Sequence, residues 1–313
     1  NYEMSSNLDV LENVTVTGAG AVELKTVTGE SVKSVNATDN TGGVTVDLSR
    51  AGNAAFTGGA GADTLTVNGS KAAHDLGAGD DTVVVNDTNL AALDKGFSVD
   101  GGDGVDTLLM TATNAVAMTA DNFKAFTNFE ELALSDQLGV NINMANFAGI
   151  DHLTLAGTSN AVTVSNMQSG STLELGDGTY TGGITVDVDG AAAGQDDVLN
   201  IVLSKDVALA ANEVAVKNVE TINIVADDSG EGAADATHTM TLTADKATTV
   251  KVSGDAGLEL TLTGSDVVKT IDAFESTGGV DIKTDLKDVT FTGGAGDDTV
   301  TLGAGNTVTG GAG

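Results

Sequence analysis

The chain has 313 residues, a formal net charge of −32 and only 3% aromatic residues. Its length suits one or two domains, and 41% hydrophobic residues allow a substantial core of Val, Leu, Ile, Ala and Thr methyl groups. The 45 acidic against 13 basic residues argue against binding to nucleic-acid phosphates. No apolar segment approaches the length of a membrane span, so no membrane insertion is expected.

Residues 1–57 are predicted to form strands of a β-solenoid. A nine-residue pattern of apolar positions around one acid occupies residues 8–16 and returns at 126–134, 147–155 and 216–224. The end of each copy alternates apolar and polar residues, which is typical of a half-buried strand. The copies at 126 and 147 start one solenoid rung apart. The acid either caps the turn that enters each strand or faces solvent.

A glycine-aspartate nonapeptide dominates residues 58–109. It reads GGAGADTLT from residue 58, LGAGDDTVV from 76 and GGDGVDTLL from 101, and it returns as GGAGDDTVT from 293. The glycines permit the positive φ angles of a tight turn, so backbone carbonyls can point at a shared ion. The aspartate at the sixth position adds a carboxylate oxygen, and calcium takes about 6–8 oxygen ligands. The pattern therefore predicts a calcium-binding β-roll.

The spacing of these motifs predicts how they stack. The motifs at 58 and 76 start two nonapeptides apart, which is one full coil of a β-roll. We therefore expect Asp63 and Asp81 on the same side, one rung apart, with calcium between the rungs. The motif at 101 is out of phase with the first two because residues 85–100 are inserted.

The remaining segments complete an all-β prediction. Residues 110–292 are expected to form a parallel β-solenoid, with alternating segments such as 239–243 and 258–262, and residues 293–313 begin a second calcium roll. Helices are expected only around 89–95 and 120–126. The predicted fold class is a right-handed parallel β-helix or β-roll solenoid with calcium-binding turns and few short helices. The chain begins without methionine and stops inside a repeat, so we expect a fragment of a longer protein.

Together, the two repeats resemble the calcium-dependent surface-layer (S-layer) proteins of Gram-negative bacteria, a branch of the repeats-in-toxin (RTX) proteins. The resemblance is densest over residues 56–133, where FTGGAGAD, LGAGDDTV, GGDGVD and FEELALS occur in the same order, and it continues more weakly beyond. It implies type I secretion, an extracellular location at the cell surface and Ca²⁺-driven self-assembly into a two-dimensional coat. It also implies contact with lipopolysaccharide through a region outside this sequence.

The resemblance also implies a set of calcium ligands. The carboxylates that match the family's repeat are Asp63, Asp81, Asp106 and Asp298, with Asp80, Asp103 and Asp297 as adjacent contributors. The accompanying turn positions are Gly58, Ala60, Gly77, Gly79, Gly101 and Gly293. Asp196 is a weaker candidate, for which an ordinary turn is equally plausible. In the last repeat Asn306 replaces the expected aspartate, which puts that half-site in doubt.

Two other functions compete with a surface coat. An enzyme is disfavoured because His74, His152 and His238 are far apart and neither a HExxH nor a GxSxG motif is present; no catalytic residue is predicted. An RTX adhesin or extracellular biofilm-matrix protein is the stronger alternative, since such proteins use the same repeats to bind a host, a sugar or ice. Lattice formation distinguishes a coat from these alternatives.

Overall fold

The structure is a computed structural model that describes residues 11–24, 27, 31–67, 71–86, 96–191, 196–204, 208–228 and 237–313. The chain divides into two compact units. Unit 1 comprises Asn1–Ser135 and Asn146–Ile150, and unit 2 comprises Asp136–Ala145 and Asp151–Gly313. The division into four segments stays a prediction.

Unit 1 contains twelve short strands and two short helices among its described residues. In chain order they are β1 (Asn13–Gly18), β2 (Val22–Leu24), β3 (Ser34–Asn40), β4 (Val44–Asp47), β5 (Ala55–Thr57), β6 (Thr64–Val67), β7 (Ala73–Asp75), β8 (Thr82–Val85), β9 (Ser98–Asp100), β10 (Thr107–Met110), α1 (Ala112–Ala117), α2 (Ala120–Phe123), β11 (Phe126–Thr127) and β12 (Glu131–Leu134).

The strands of unit 1 lie in two rows, and each strand pairs with the next but one along the chain. The odd-numbered strands β1 to β11 form the first row and the even-numbered strands β2 to β12 form the second. Every described pairing is parallel. Each rung of the solenoid therefore contributes one strand to each row.

Alternating side chains build the core of unit 1. In β6 the side chains of Leu65 and Val67 are buried, whereas the two threonines are partly exposed. The strand registers place Leu65, Val83, Leu108 and Leu132 beside one another in successive rungs, each fully buried. This apolar column is what a parallel solenoid requires, because each rung hides its inward face only against its neighbours.

An aromatic cluster fills one part of unit 1. Phe126 packs edge to face against Phe97 and Phe129, with ring centroids 5.6 and 6.3 Å apart, and stacks on Phe123 of α2 at 6.1 Å. Phe123 also contacts Phe147 at 5.3 Å. The core thus contains aromatic rings in addition to the aliphatic side chains that composition suggests.

Unit 2 contains sixteen strands among its described residues. They are β13 (Ile142–Asn143), β14 (His152–Thr158), β15 (Val162–Met167), β16 (Thr172–Tyr180), β17 (Ile184–Val188), β18 (Val198–Ser204), β19 (Ala208–Lys217), β20 (Thr221–Asp227), β21 (Thr237–Ala244), β22 (Thr249–Gly254), β23 (Gly257–Thr263), β24 (Thr270–Ser276), β25 (Val280–Leu286), β26 (Thr290–Thr292), β27 (Thr299–Leu302) and β28 (Thr307–Thr309). A 3-10 turn covers Met144–Asn146, of which the first two residues belong to unit 2 and Asn146 to unit 1.

The strands of unit 2 repeat the two-row arrangement. The odd-numbered strands β13 to β27 form one row and the even-numbered strands β14 to β28 form the other, again with parallel pairing. Strand β20 shows the local rule: Ile222, Ile224 and Ala226 are fully buried and alternate with partly exposed residues. The prediction of an all-β, parallel solenoid with few short helices is confirmed.

The helices were predicted less well than the strands. The expected helix around 120–126 is present as α2 over Ala120–Phe123. The helix α1 was not expected; the side chain of Thr111 caps it by accepting the backbone N–H of Asn114. The other expected helix, 89–95, lies outside the described residues.

A candidate metal centre in stacked carboxylates

Three sixth-position aspartates form a vertical column in unit 1. Asp63, Asp81 and Asp106 each stand directly before a strand of the second row, and all three are buried. The Oδ1 atom of Asp81 accepts the backbone N–H of Asp63 at 2.6 Å, and Asp106 Oδ1 accepts the N–H of Asp81 at 2.8 Å. Asp63 Oδ1 in turn accepts the N–H of Val44 at 2.6 Å. We call these three residues the aspartate column.

The column joins motifs that the spacing placed out of phase. Asp63 and Asp81 lie one rung apart on the same side, as their spacing predicts. Asp106 was expected to be out of phase, but β10 pairs with β8 in direct register, with Thr107 opposite Thr82. Residues 86–97 separate β8 from β9 along the chain, yet β10 returns to the register of β8. The expectation for the motif at 101 was therefore wrong.

The acid of the second repeat occupies the same structural position as the motif aspartate. Glu130 extends the aspartate column by one rung, since its Oε2 accepts the N–H of Asp106 at 2.9 Å. In unit 2, Glu220 Oε2 accepts the N–H of Asp197 at 3.0 Å. In these two copies of the second repeat, as in the nonapeptide, an acidic side chain bonds to the backbone of the preceding rung. The acid of the first copy, Glu12, instead bonds to the Lys33 side chain.

The C-terminal motif follows the same rule with two different residues. Asp298 Oδ1 accepts the N–H of Val280 at 2.9 Å. Asn306 Oδ1 accepts the N–H of Val289 at 2.9 Å, and its Nδ2 donates to the carbonyl of Leu286 at 2.6 Å. Asparagine thus keeps the acceptor role of the missing aspartate without its charge.

The aspartates fall into two groups according to whether the second carboxylate oxygen, Oδ2, has a hydrogen-bond partner. Asp63 Oδ2 accepts the N–H of Gly59 at 3.0 Å, and Asp298 Oδ2 accepts the N–H of Gly294 at 2.9 Å. Among the described residues, by contrast, the buried Oδ2 atoms of Asp81, Asp106 and Asp197 have no hydrogen-bond partner. A buried carboxylate oxygen without a partner is costly, because it has lost its hydration without replacement.

Burial perturbs the charge of the aspartate column. It raises the pKa of Asp81 from 3.8 to about 7, and the neighbouring carboxylates of Asp63, Asp106 and Asp80 add to this rise. Burial likewise raises the pKa of Asp106 to about 6, with Glu130 among the contributing charges. The pKa of Asp63 is raised by burial too, although its hydrogen bonds oppose the rise. A nearby cation would favour the ionised form of all three.

The first glycine of the motif opens a notch beside the aspartate. A Cβ placed on Gly58 would lie 2.4 Å from Asp63 Oδ2 and 1.9 Å from the carbonyl oxygen of Leu76. Only glycine therefore fits, and both oxygens face the space that a side chain would fill. Gly101 and Gly293 stand in equivalent notches. The first faces Asp106 Oδ2 and the Asn128 carbonyl, and the second faces Asp298 Oδ2 and the Gly310 carbonyl.

The remaining turn positions face the neighbouring rungs. Gly77 and Gly79 have φ angles of +94° and +128°, which favour glycine. Their carbonyl oxygens lie against Gly102 and Gly104 of the next rung, 2.0 Å from where a Cβ would stand. Ala60 is an exposed turn residue whose N–H donates to the Asn40 carbonyl at 2.9 Å.

The structure separates the other predicted acids from the buried ones. Asp80, Asp103, Asp196 and Asp297 are exposed. Asp80 Oδ1 accepts the N–H of Val105 at 2.9 Å. Sequence reasoning chose Asp196, whereas its neighbour Asp197 is the buried residue. The apolar Val198 that follows Asp197 is the signal that could have identified it, because it marks the start of a strand.

The oxygen donors suit calcium in kind. Carboxylate and carbonyl oxygens are the ligands this hard cation prefers, and the unpartnered Oδ2 atoms of Asp81 and Asp106 are free to accept it. In the part of the chain that the structure describes, no group of three or more His, Cys, Asp or Glu side chains is placed to hold a metal. Backbone carbonyls would therefore supply most of the about 6–8 ligands.

The three histidines lie at unrelated places. His74 is buried in unit 1, where its Nδ1 accepts the N–H of Phe56 at 3.2 Å, and burial lowers its pKa to about 4. In unit 2, His152 Nε2 lies 3.0 Å from Glu174 Oε2, and His238 is fully buried. The contacts of His74 and His152 link neighbouring rungs of the solenoid.

The described residues define an all-parallel β-solenoid with buried, stacked carboxylates at the entrances to its strands. No protein-family model matches the sequence, and no curated protein sequence matches it significantly. Among the described residues, no helix is long and apolar enough to cross a membrane.

Proposed function

We propose that this chain is a non-enzymatic structural protein whose solenoid is stabilised by calcium and which assembles with its own copies into a cell-surface coat. The observation that carries the calcium part is the pair of buried, unpartnered Oδ2 atoms of Asp81 and Asp106. Stacked carboxylates repel one another, and a fold that buries them needs either bound protons or a cation.

Asp81 and Asp106 would each offer the Oδ2 atom to a bound ion, and carbonyl oxygens of the glycine turns would supply the other ligands. Calcium supplies two positive charges that offset the repulsion within the aspartate column. The Oδ1 atoms remain engaged with the backbone of the preceding rung, which fixes the direction of each carboxylate. Within the aspartate column, glycine notches keep side chains away from the Oδ2 atoms of Asp63 and Asp106, whereas the matching position in the motif of Asp81 is Leu76. Metal binding would then contribute folding free energy.

The charge of the chain supports a cation-dependent assembly. With a formal net charge of −32, copies of the chain repel one another at low ionic strength. Divalent cations reduce this repulsion and can bridge exposed carboxylates such as Asp80 and Asp297. The resemblance to RTX surface-layer proteins supports secretion by the type I route, an extracellular location and self-association. It also supports lipopolysaccharide as a partner of a region outside this sequence.

Electron microscopy of the purified protein tests this proposal. With millimolar calcium we expect ordered two-dimensional sheets, and with a chelator we expect dispersed particles. A protein that binds calcium, as shown by isothermal titration calorimetry, but stays monomeric would contradict the coat and favour an adhesin or matrix protein. A protein that binds no calcium would contradict both parts of the proposal.

A further inference from the structure

A groove crosses the solvent face of four neighbouring strands in unit 2, β18, β20, β22 and β24. It has a volume of about 420 Å³ and is lined chiefly by Asn223 of β20, Lys251 of β22, and Asp272, Phe274 and Glu275 of β24. We call it the Phe274 groove. Its volume falls within the range of small-molecule sites, roughly 300–1,000 Å³.

An irregularity in β24 directs Phe274 into solvent. Lys251 pairs with Asp272, but Ser253 pairs with Glu275, so β24 has one more residue than β22 over this stretch. As a result, Phe274 and Glu275 are both exposed in succession. The Oδ1 atom of Asp272 accepts the N–H of Phe274 at 3.2 Å and supports this local turn of the backbone. Such bulges often re-aim side chains beside functional sites.

Phe274 differs from every other phenylalanine of the chain. All eight lie within the described residues, and seven are at most 6% exposed. Phe274 is 72% exposed. A phenylalanine ring left in water does not gain the free energy that burial would contribute, unless a ligand or partner covers it.

Polar groups stand at regular intervals beside the ring. Asn200, Asn223, Lys251 and Asp272 occupy one register position across β18 to β24. Asn223 Nδ2 donates to Asn200 Oδ1 at 2.8 Å, and Asn200 Nδ2 donates to the Gly170 carbonyl at 2.7 Å. These bonds hold the Asn223 amide in place. Its Oδ1 atom is buried and, among the described residues, has no hydrogen-bond partner.

We propose that the Phe274 groove binds a neutral saccharide. The ring offers an apolar platform for the C–H face of a sugar. The carboxylates of Asp272 and Glu275 accept hydrogen bonds from hydroxyl groups, and the Lys251 ammonium donates to hydroxyl oxygens. The two carboxylates disfavour a phosphate or another anion, and Lys251 disfavours a cation. A neutral ligand rich in hydroxyl groups satisfies every part of the groove.

Calorimetric titration of the 313-residue chain with neutral hexasaccharides tests this site, using cellulose-, chitin-, amylose- and mannan-derived probes. All titrations contain millimolar calcium, and circular dichroism verifies the fold. At least one probe should bind, and Phe274→Ala should weaken it by about tenfold or more. Val140→Ala, which shortens another exposed apolar residue, 57% exposed, should leave binding unchanged. Asp272→Asn should weaken binding while keeping an acceptor for the Phe274 N–H.

Three results would overturn the saccharide site. The first is no binding of any probe by a chain that retains its fold. The second is binding that Phe274→Ala leaves unchanged. The third is binding of tetramethylammonium in place of the saccharides, which would assign the groove to a cation. The outcome is separate from calcium binding, because the groove and the aspartate column lie in different units.

Discussion

Asp81 is a carboxylate held in a buried place by its own fold. Its Oδ1 bonds to the backbone of Asp63, its N–H bonds to Asp106, and its Oδ2 is buried without a partner among the described residues. The hydrogen bonds fix the orientation of the Asp81 carboxylate, whereas its burial opposes ionisation. The fold therefore buries a carboxylate whose ionised form is disfavoured there, and a bound proton or cation would stabilise it.

The burial of these carboxylates predicts that the stability of the metal-free chain depends on pH. The folded-state pKa of Asp81, about 7, and that of Asp106, about 6, exceed the ordinary value of 3.8, so the folded chain holds these protons more tightly than the unfolded chain. The contribution to stability is full below about pH 4 and is lost as pH rises through about 6 to 7. Urea unfolding in chelator across this range should show the free energy of unfolding falling by up to a few kcal/mol.

Replacing Asp81 isolates its share of this pH effect. Asp81→Asn keeps an oxygen that accepts the Asp63 N–H but removes the charge. In chelator above about pH 7 it should be more stable than the parent chain, with a flatter pH profile. Asp297 offers the matched control, since it is the exposed fifth-position aspartate of the C-terminal motif and Asp297→Asn should leave the profile unchanged. Identical profiles for the parent chain and Asp81→Asn would contradict the electrostatic account of the column.

The notch at Gly58 predicts a steric effect. An added methyl group would stand 1.9 Å from the Leu76 carbonyl and 2.4 Å from Asp63 Oδ2. Gly58→Ala should therefore lower the free energy of unfolding by about 1–3 kcal/mol, as other overpacked sites do. Gly20→Ala is the control, because no atom lies within 4 Å of its added Cβ. Equal stability of the two variants in urea titrations would disprove the notch.

At the scale of elements, the rung is the unit that repeats and its ends are where it varies. Successive rungs differ in the connections between strands, yet the strands themselves return to the same register, as Thr64, Thr82 and Thr107 show. The aromatic cluster of unit 1 is one such variation. It joins α2 to the rungs through Phe123 and Phe126.

Truncating the centre of the aromatic cluster should destabilise unit 1. Phe126 contacts three other rings and is 3% exposed, so Phe126→Ala should lower the free energy of unfolding by about 3–5 kcal/mol. Phe274→Ala removes the same atoms from an exposed position and should change stability by less than about 0.5 kcal/mol. Chemical denaturation followed by circular dichroism measures both. A small loss for Phe126→Ala would show that the cluster is loosely packed.

The sequence predicts the strands well because burial on one face imposes strict alternation, as in Leu65 and Val67. It also predicts the stacking of Asp63 and Asp81, whose motifs are separated by a whole coil. It does not predict that Asp106 joins them, because residue counting cannot show that the strand after an insertion returns to the same register. The role of Glu130 was also hidden, since its side chain is longer and its repeat lacks glycines. The exposure of Phe274 was not predicted, because the alternating pattern does not indicate where a one-residue bulge occurs.

At the scale of the whole molecule, a chain with 45 acidic residues folds without a disulfide and with few basic partners. Described ion pairs such as Lys33 with Glu12 and Lys124 with Asp121 are exposed and contribute little. The repeated apolar columns supply the cohesion, and the proposed calcium ions offset the charge. Stability and self-association should therefore both respond to the same cation.

Thermal unfolding with and without calcium tests the central claim most directly. The measurement compares the parent chain with the double variant Asp81→Asn/Asp106→Asn, followed by circular dichroism in chelator and in millimolar calcium. Calcium at a hundredfold excess over its dissociation constant should add about 2.7 kcal/mol to the free energy of unfolding of the parent chain. The thermal midpoint of the parent chain should therefore rise strongly, and that of the double variant much less. Coincident midpoints of the parent chain in chelator and in calcium would contradict a calcium-stabilised solenoid.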